Sequence, residues 1–254
     1  MSALAIGGVT FICLSFAVVA GIFLRDHLPE HHLSTDSKEA IKLATAVVGT
    51  LSALAVGFFI ASAKTAFDDA EAELRTSVAR VVLLDRVMSH YGPETKEARR
   101  LLAELVSSRL QDAWVDQDHD DTTPDARRSD LGIEPVQDEL RALSPETDAK
   151  RQLQARAIAI SGEIAEAHWL LLEKGGEGLP QAFLVILVFW LALLFFTFGL
   201  LAPANATVIG MLFVCALSVG GAIFLIIDMA HPYLGIIQVS DAPLRTALAH
   251  LGRN

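Results

Sequence analysis

The chain has 254 residues, 52% hydrophobic and 20% charged, with a formal net charge of −10 and a mean hydropathy of +0.44. That acidity excludes the basic face that phosphate recognition requires, so nucleic acid is not an expected partner. The two cysteines, Cys13 and Cys215, have no metal-ligand spacing and read as small apolar fillers.

The apolar excess is concentrated in four runs, Ala3–Leu24, Ile41–Ala63, Phe183–Ala202 and Thr207–Ile227. Each is about twenty residues, the length a helix needs to cross about 30 Å of hydrocarbon. A backbone in lipid must satisfy its own N–H and C=O groups, so each run is expected to be a transmembrane helix. The first run has no basic n-region and leads into a second full span, so it is expected to remain as a span.

The linker after the first run reads Arg25-Asp26-His27-Leu28-Pro29-Glu30-His31-His32. Three histidines and two carboxylates suggest a metal, but Pro29 breaks any i, i+4 face between His27 and His31, and the linker reads as a polar interfacial turn. The second run carries Gly49, Ala53, Gly57 and Ala61 at a spacing of four, the pattern that lets helix backbones approach closely. Thr45, Ser52 and Phe59, seven apart, form a neighbouring stripe. It reads either as ordinary packing or as a pore wall, with two hydroxyls and an aromatic constriction.

The second helix is expected to continue past the hydrocarbon. Phe67, Leu74, Val81 and Met88 recur every seven residues, with Ala70, Ser77, Leu84 and Tyr91 as companions, so this stretch reads as a heptad seam able to pair with a sister subunit or another partner. Gly92-Pro93 is expected to end it. A second amphipathic helix follows over about 94–115, then an Asp/Thr/Pro-rich loop over about 116–135, then a third helix from near Pro145 to Glu173. The acidic cluster Asp112, Asp116, Asp118, Asp120 and Asp121 lacks the glycine and terminal Glu of a calcium loop and reads as solvated. Gly175-Gly176, Gly178 and Pro180 separate this region from the third run, and a short amphipathic tail, 243–251, closes the chain.

The expected organisation is all-α: a first transmembrane hairpin (1–64), an acidic helical domain (65–181), a second hairpin (182–229) and a tail (230–254). The middle segment holds fourteen Lys/Arg against twenty-four Asp/Glu, so it carries the whole net charge. Four spans put both termini and the middle domain on one side. Lys64, Arg75, Lys174 and Arg245 flank the bilayer there, against Arg25, Lys38 and Lys42 opposite, which points that side to the cytoplasm. The spans hold almost no ionisable groups, Asp228 closing the fourth, so neither an enzyme nor a proton-coupled transporter is expected. No cofactor motif occurs.

Specific strings carry a resemblance. Leu28-Pro29-Glu30-His31-His32-Leu33, Asp36-Ser37-Lys38, Ile60-Ala61-Ser62-Ala63-Lys64 and Phe67-Asp68 resemble the N-terminal half of the bestrophin-like family of bacterial membrane proteins. Leu84-Asp85-Arg86 with Tyr91-Gly92-Pro93-Glu94 is similar to its middle. Leu187-Val188-Phe189-Trp190-Leu191, Phe198-Gly199-Leu200, Cys215-Ala216-Leu217-Ser218 and Ala242-Pro243-Leu244-Arg245 resemble its C-terminal half. His168 stands where an arginine is expected beside Trp169. The resemblance implies a relationship to the bestrophins, oligomeric chloride channels with four spans, a helical insertion and a Pro-aromatic-Gly turn, here Pro232-Tyr233 with Gly235.

Together these observations lead to an expected homo-oligomeric ion channel of the bacterial inner membrane. Its partners would be copies of itself, the lipid bilayer and inorganic ions, and both termini would be cytoplasmic. Thr45, Ser52 and Phe59 are the candidate pore lining; Gly49, Ala53, Gly57 and Ala61 are the packing residues. The other reading is a membrane-anchored interaction or sensing scaffold that uses the same seam.

Overall fold

The computed structural model describes residues 2–29, 34–114, 132–174, 181–203, 205–233 and 235–251. The described residues form helices and turns, with no strand. The helices are α1 (Ala3–His27), α2 (Thr35–Tyr91), α3 (Lys96–Trp114), α4 (Glu134–Ala142), α5 (Asp148–Lys174), α6 (Gln181–Leu201), α7 (Ala206–Met229) and α8 (Ala242–His250). A 3-10 turn, Pro93–Thr95, links α2 to α3.

Helices start where a side chain can take up a free amide. The Ser2 hydroxyl accepts from the Ala5 amide and opens α1. Ser34 does the same for Ser37 at α2, Thr147 for Lys150 at α5 and Asn205 for Val208 at α7. This is why α2 begins six residues before the apolar run that signals it: hydrocarbon sets the hydropathy boundary, whereas a cap sets the hydrogen-bonding boundary.

The chain divides into two units. The first comprises Met1–Phe67 and Gly178–Gln238. It contains four helices, α1, α2, α6 and α7, each long and apolar enough to cross a membrane. α1 runs along both α6 and α7. Glycines permit the approach: a β-carbon on Gly21 would lie 2.1 Å from the Phe196 carbonyl oxygen, and one on Gly199 2.3 Å from that of Val18. At the other end of α1, Gly220 of α7 faces the Gly7 carbonyl. Leu14, Val18, Leu187, Leu191, Ala216 and Ile223 fill the space between. Leu4, Phe16, Phe58, Phe189 and Met211 point outward, as side chains do when hydrocarbon is the solvent.

The second unit comprises Asp68–Glu177 and Val239–Asn254. The end of α2 contributes Val81, Leu84 and Met88 to its core. Ala98, Leu102 and Val106 of α3, Val136 and Leu140 of α4, Ala157 and Ile160 of α5, and Leu244 of α8 complete it. The second half of the heptad seam is therefore buried within its own chain, which corrects the expectation that this stretch is free to pair with a sister subunit or partner. Gly92 ends α2 at φ +130°, ψ −173°, a conformation open essentially to glycine alone.

Two boundaries differ from expectation. The loop expected to reach residue 135 gives way at Glu134 to α4, a short amphipathic helix not expected between that loop and the third helix. Pro135 sits in its first turn, and Val136 and Leu140 share its inner face. α5 begins at Asp148 rather than near Pro145, because the cap is Thr147.

Candidate functional site

Lipid offers no water to a stray hydroxyl, and several hydroxyls of the membrane unit turn back on their own helix, whereas the buried Ser15 hydroxyl of α1 has no partner among the described residues. Thr45 donates to the Ile41 carbonyl at 2.7 Å, Thr50 to Ala46 at 2.9 Å, Ser52 to Val48 at 2.8 Å and Thr197 to Leu193 at 2.7 Å. The face that each helix presents then decides which hydroxyl stays accessible.

On α2 the two stripes separate. Ser52 is 1% exposed. Thr45 is half-buried, and Phe59 packs with Val48, Ala55 and Val56 against the core that includes Leu194 and Phe195. The seven-spaced stripe thus faces the interior of this chain's own membrane unit. Of the four-spaced residues, Gly49 lies against Leu194, 3.7 Å from a β-carbon built on it. The others rotate away, since four residues advance a helix by 400°. Ala53, Gly57 and Ala61 are exposed together with Thr50, and nothing lies within 4 Å of a β-carbon on Gly57. Leu43, Val47, Leu51, Leu54 and Phe58 form the bulky exposed strip beside them. Within the chain, the close backbone approaches occur at glycines of α1, α6 and α7. Those are scattered one or two to a helix and leave no repeat to read.

A second feature lies at the end of α7. Asp228 is 2% exposed. Its carboxylate accepts from the backbone amides of Ile236, at 2.9 Å, and Ile237, at 2.8 Å. Gly235 passes so close that a β-carbon there would be 2.6 Å from the carboxylate. Two consecutive amides thus satisfy a charge that burial would otherwise make prohibitive. A lone carboxylate at the end of a span signals Asp228 in the sequence, but its partners are eight and nine residues away in a turn.

In the second unit, polar pairs hold helices together. Asp85 of α2 and Arg99 of α3 form a two-pronged ion pair, 2.7 and 3.2 Å, with side chains 10% and 14% exposed. Lys150 bonds Glu94 and lies over the Tyr91 ring. The Lys150 hydrogen bond, followed by Glu94's own backbone, holds the Glu94 carboxyl below its ordinary value. The same bond raises the Lys150 ammonium. His27, in the linker considered for a metal, bonds the Phe23 carbonyl through Nδ1. His31 and His32, and the acidic run from Asp116 to Asp121, lie outside the described residues.

Neither the curated proteins nor the solved structures contain a match to this chain. The bestrophin-like domain matches residues 12–244, which reaches into both units and covers α2, α6, α7 and most of α1. The chain is therefore a member of the bestrophin-like family.

Proposed function

We propose that this protein is a homo-oligomeric ion channel in which copies of α2 surround the pore. One observation carries the reading: the exposed face of α2 holds a continuous strip of small side chains, Thr50, Ala53, Gly57 and Ala61, beside a bulky strip suited to lipid. Small residues on an exposed membrane helix admit a close neighbour or a column of water. Family membership agrees with it. In this reading the path runs along Thr50, Ala53 and Gly57. Thr45, Ser52 and Phe59 support that wall from behind, Phe59 by packing against the core of the same chain.

The chain sits in a bacterial inner membrane, with α1–α2 and α6–α7 as two hairpins and the acidic helical unit and both termini in the cytoplasm. It performs no catalysis. The scaffold alternative has lost much of its motive, because Val81, Leu84 and Met88 are already packed.

The test is purified full-length protein reconstituted in planar bilayers under asymmetric salt, with subunit number read by native mass spectrometry. Unitary currents that fall with Gly57→Leu and change with Phe59→Ala support the channel. Silent bilayers across pH and both salt directions, with a stoichiometric foreign protein in affinity capture, would sink it.

A further inference from the structure

Where α2 meets α6 and α7, near the linkers that join the spans, Lys42, Gly49, Leu194, Leu201, Ala202 and Leu212 line a cleft of about 510 Å³. From Lys42 to Gly49 is seven residues, so the cleft reaches about 10 Å along the helix from its polar mouth. Its walls are aliphatic, aromatic and small, and its one charged lining residue is Lys42.

Two cations border the mouth, Lys42 in the lining and Arg25 on its rim. Lys42 is exposed and has no ion-pair or hydrogen-bond partner among the described residues. Glu39, one turn earlier and also exposed, makes no ion pair with it. Arg25 of α1 donates from Nη1 to the Ala202 carbonyl at 2.6 Å. This places a second positive charge on a residue of the rim and offsets the negative end of α6. Asp228, which closes α7, is buried and held by its two amides, and the carboxylates Asp26, Asp36 and Glu39 lie exposed at the linker ends of α1 and α2.

An apolar trough below an ammonium with no partner among the described residues has the polarity profile of an amphiphile with an anionic head. We propose that this cleft binds an anionic phospholipid, its phosphate against the Lys42 ammonium and one acyl chain lying between α2 and α6. The site is independent of whether the protein conducts.

The test uses full-length protein in nanodiscs of phosphatidylcholine doped with phosphatidylglycerol, with retained lipid counted by native mass spectrometry after mild activation. Wild type should retain phosphatidylglycerol in preference to phosphatidylcholine. Lys42→Gln should abolish that preference, Lys42→Arg should keep it, and Lys64→Gln, an equal loss of charge elsewhere on α2, should leave it intact. Gly49→Leu, which fills the cleft floor, should reduce retention of both lipids. Equal retention of the two lipids by wild type, or a preference that survives Lys42→Gln, overturns the proposal. So does a Gly49→Leu variant that alters subunit number in pure phosphatidylcholine while retaining lipid as before, since the cleft would then be a joint between copies.

Discussion

Gly21 of α1 lies directly beneath the Phe196 carbonyl of α6, so close that a β-carbon would stand 2.1 Å from the oxygen. Both atoms belong to the backbones of packed helices, and neither yields without moving a helix. Gly21→Ala is expected to lower stability by about 3 kcal/mol, the upper end of ordinary overpacking. Gly8, on the same helix, has nothing within 4 Å of its would-be β-carbon, so Gly8→Ala should leave the midpoint unchanged or raise it. Thermal unfolding of the two variants in one detergent checks the contrast.

Asp228 ties down the turn that follows the last span. Asp228→Ala strips the Ile236 and Ile237 amides of their acceptor, at about 1.5–3 kcal/mol for each charge-assisted bond. Asp228→Asn retains one acceptor oxygen and should lose roughly half as much. Amide exchange at residues 235–238 is the direct measurement: it should quicken in the alanine variant first.

The Asp85–Arg99 pair is nearly enclosed. Arg99→Met is expected to destabilise the chain by about 3–5 kcal/mol, because it leaves Asp85 charged and poorly solvated. Replacing both residues by apolar ones of similar volume should recover most of that loss. A double-mutant cycle read by denaturant unfolding decides it, and additive effects would show that the two side chains act separately.

Glu94 and Lys150 supply a pH dependence with a definite sign. The Glu94 carboxyl is lowered from its ordinary 4.5, so its contribution is present above the unfolded value and lost as pH falls through the folded one. The Lys150 ammonium is raised from 10.5, so its contribution is complete below the unfolded value and lost as pH rises through the folded one. Between about pH 5 and pH 10 the pair therefore contributes a constant amount. The melting difference between wild type and Glu94→Gln should be flat across that window. It should shrink toward zero in acid, below about pH 4. Both side chains are at the surface, so the plateau should be small and should fall with added salt.

Gly57 separates the two faces of α2. Gly57→Leu should leave the unfolding midpoint of the single chain close to wild type, because Gly57 is exposed and nothing lies within 4 Å of a β-carbon there. It should reduce conductance or subunit number. A variant that melts early would show that Gly57 packs within the chain after all.

The membrane character of this protein was legible from its sequence because hydrocarbon selects on length and polarity, both of which are local properties. Four runs of about twenty apolar residues, the acidic middle and the Gly92-Pro93 stop could be read without knowing any neighbour, and so could the strings that mark the family. α4 was legible too, from Pro135 at its start and the apolar pair Val136 and Leu140 four apart, though its nine residues leave a weaker mark than the longer helices beside it. Which side of α2 is buried was invisible. Thr45, Ser52 and Phe59 share a face, and so do Ala53, Gly57 and Ala61, but spacing orders the faces of a helix without saying which one meets α6. Only the packing decides that, through contacts between residues more than a hundred positions apart, such as Gly49 with Leu194 and Gly21 with Phe196. The Gly21–Phe196 contact depends on backbone proximity at a single glycine, and a single glycine has no period.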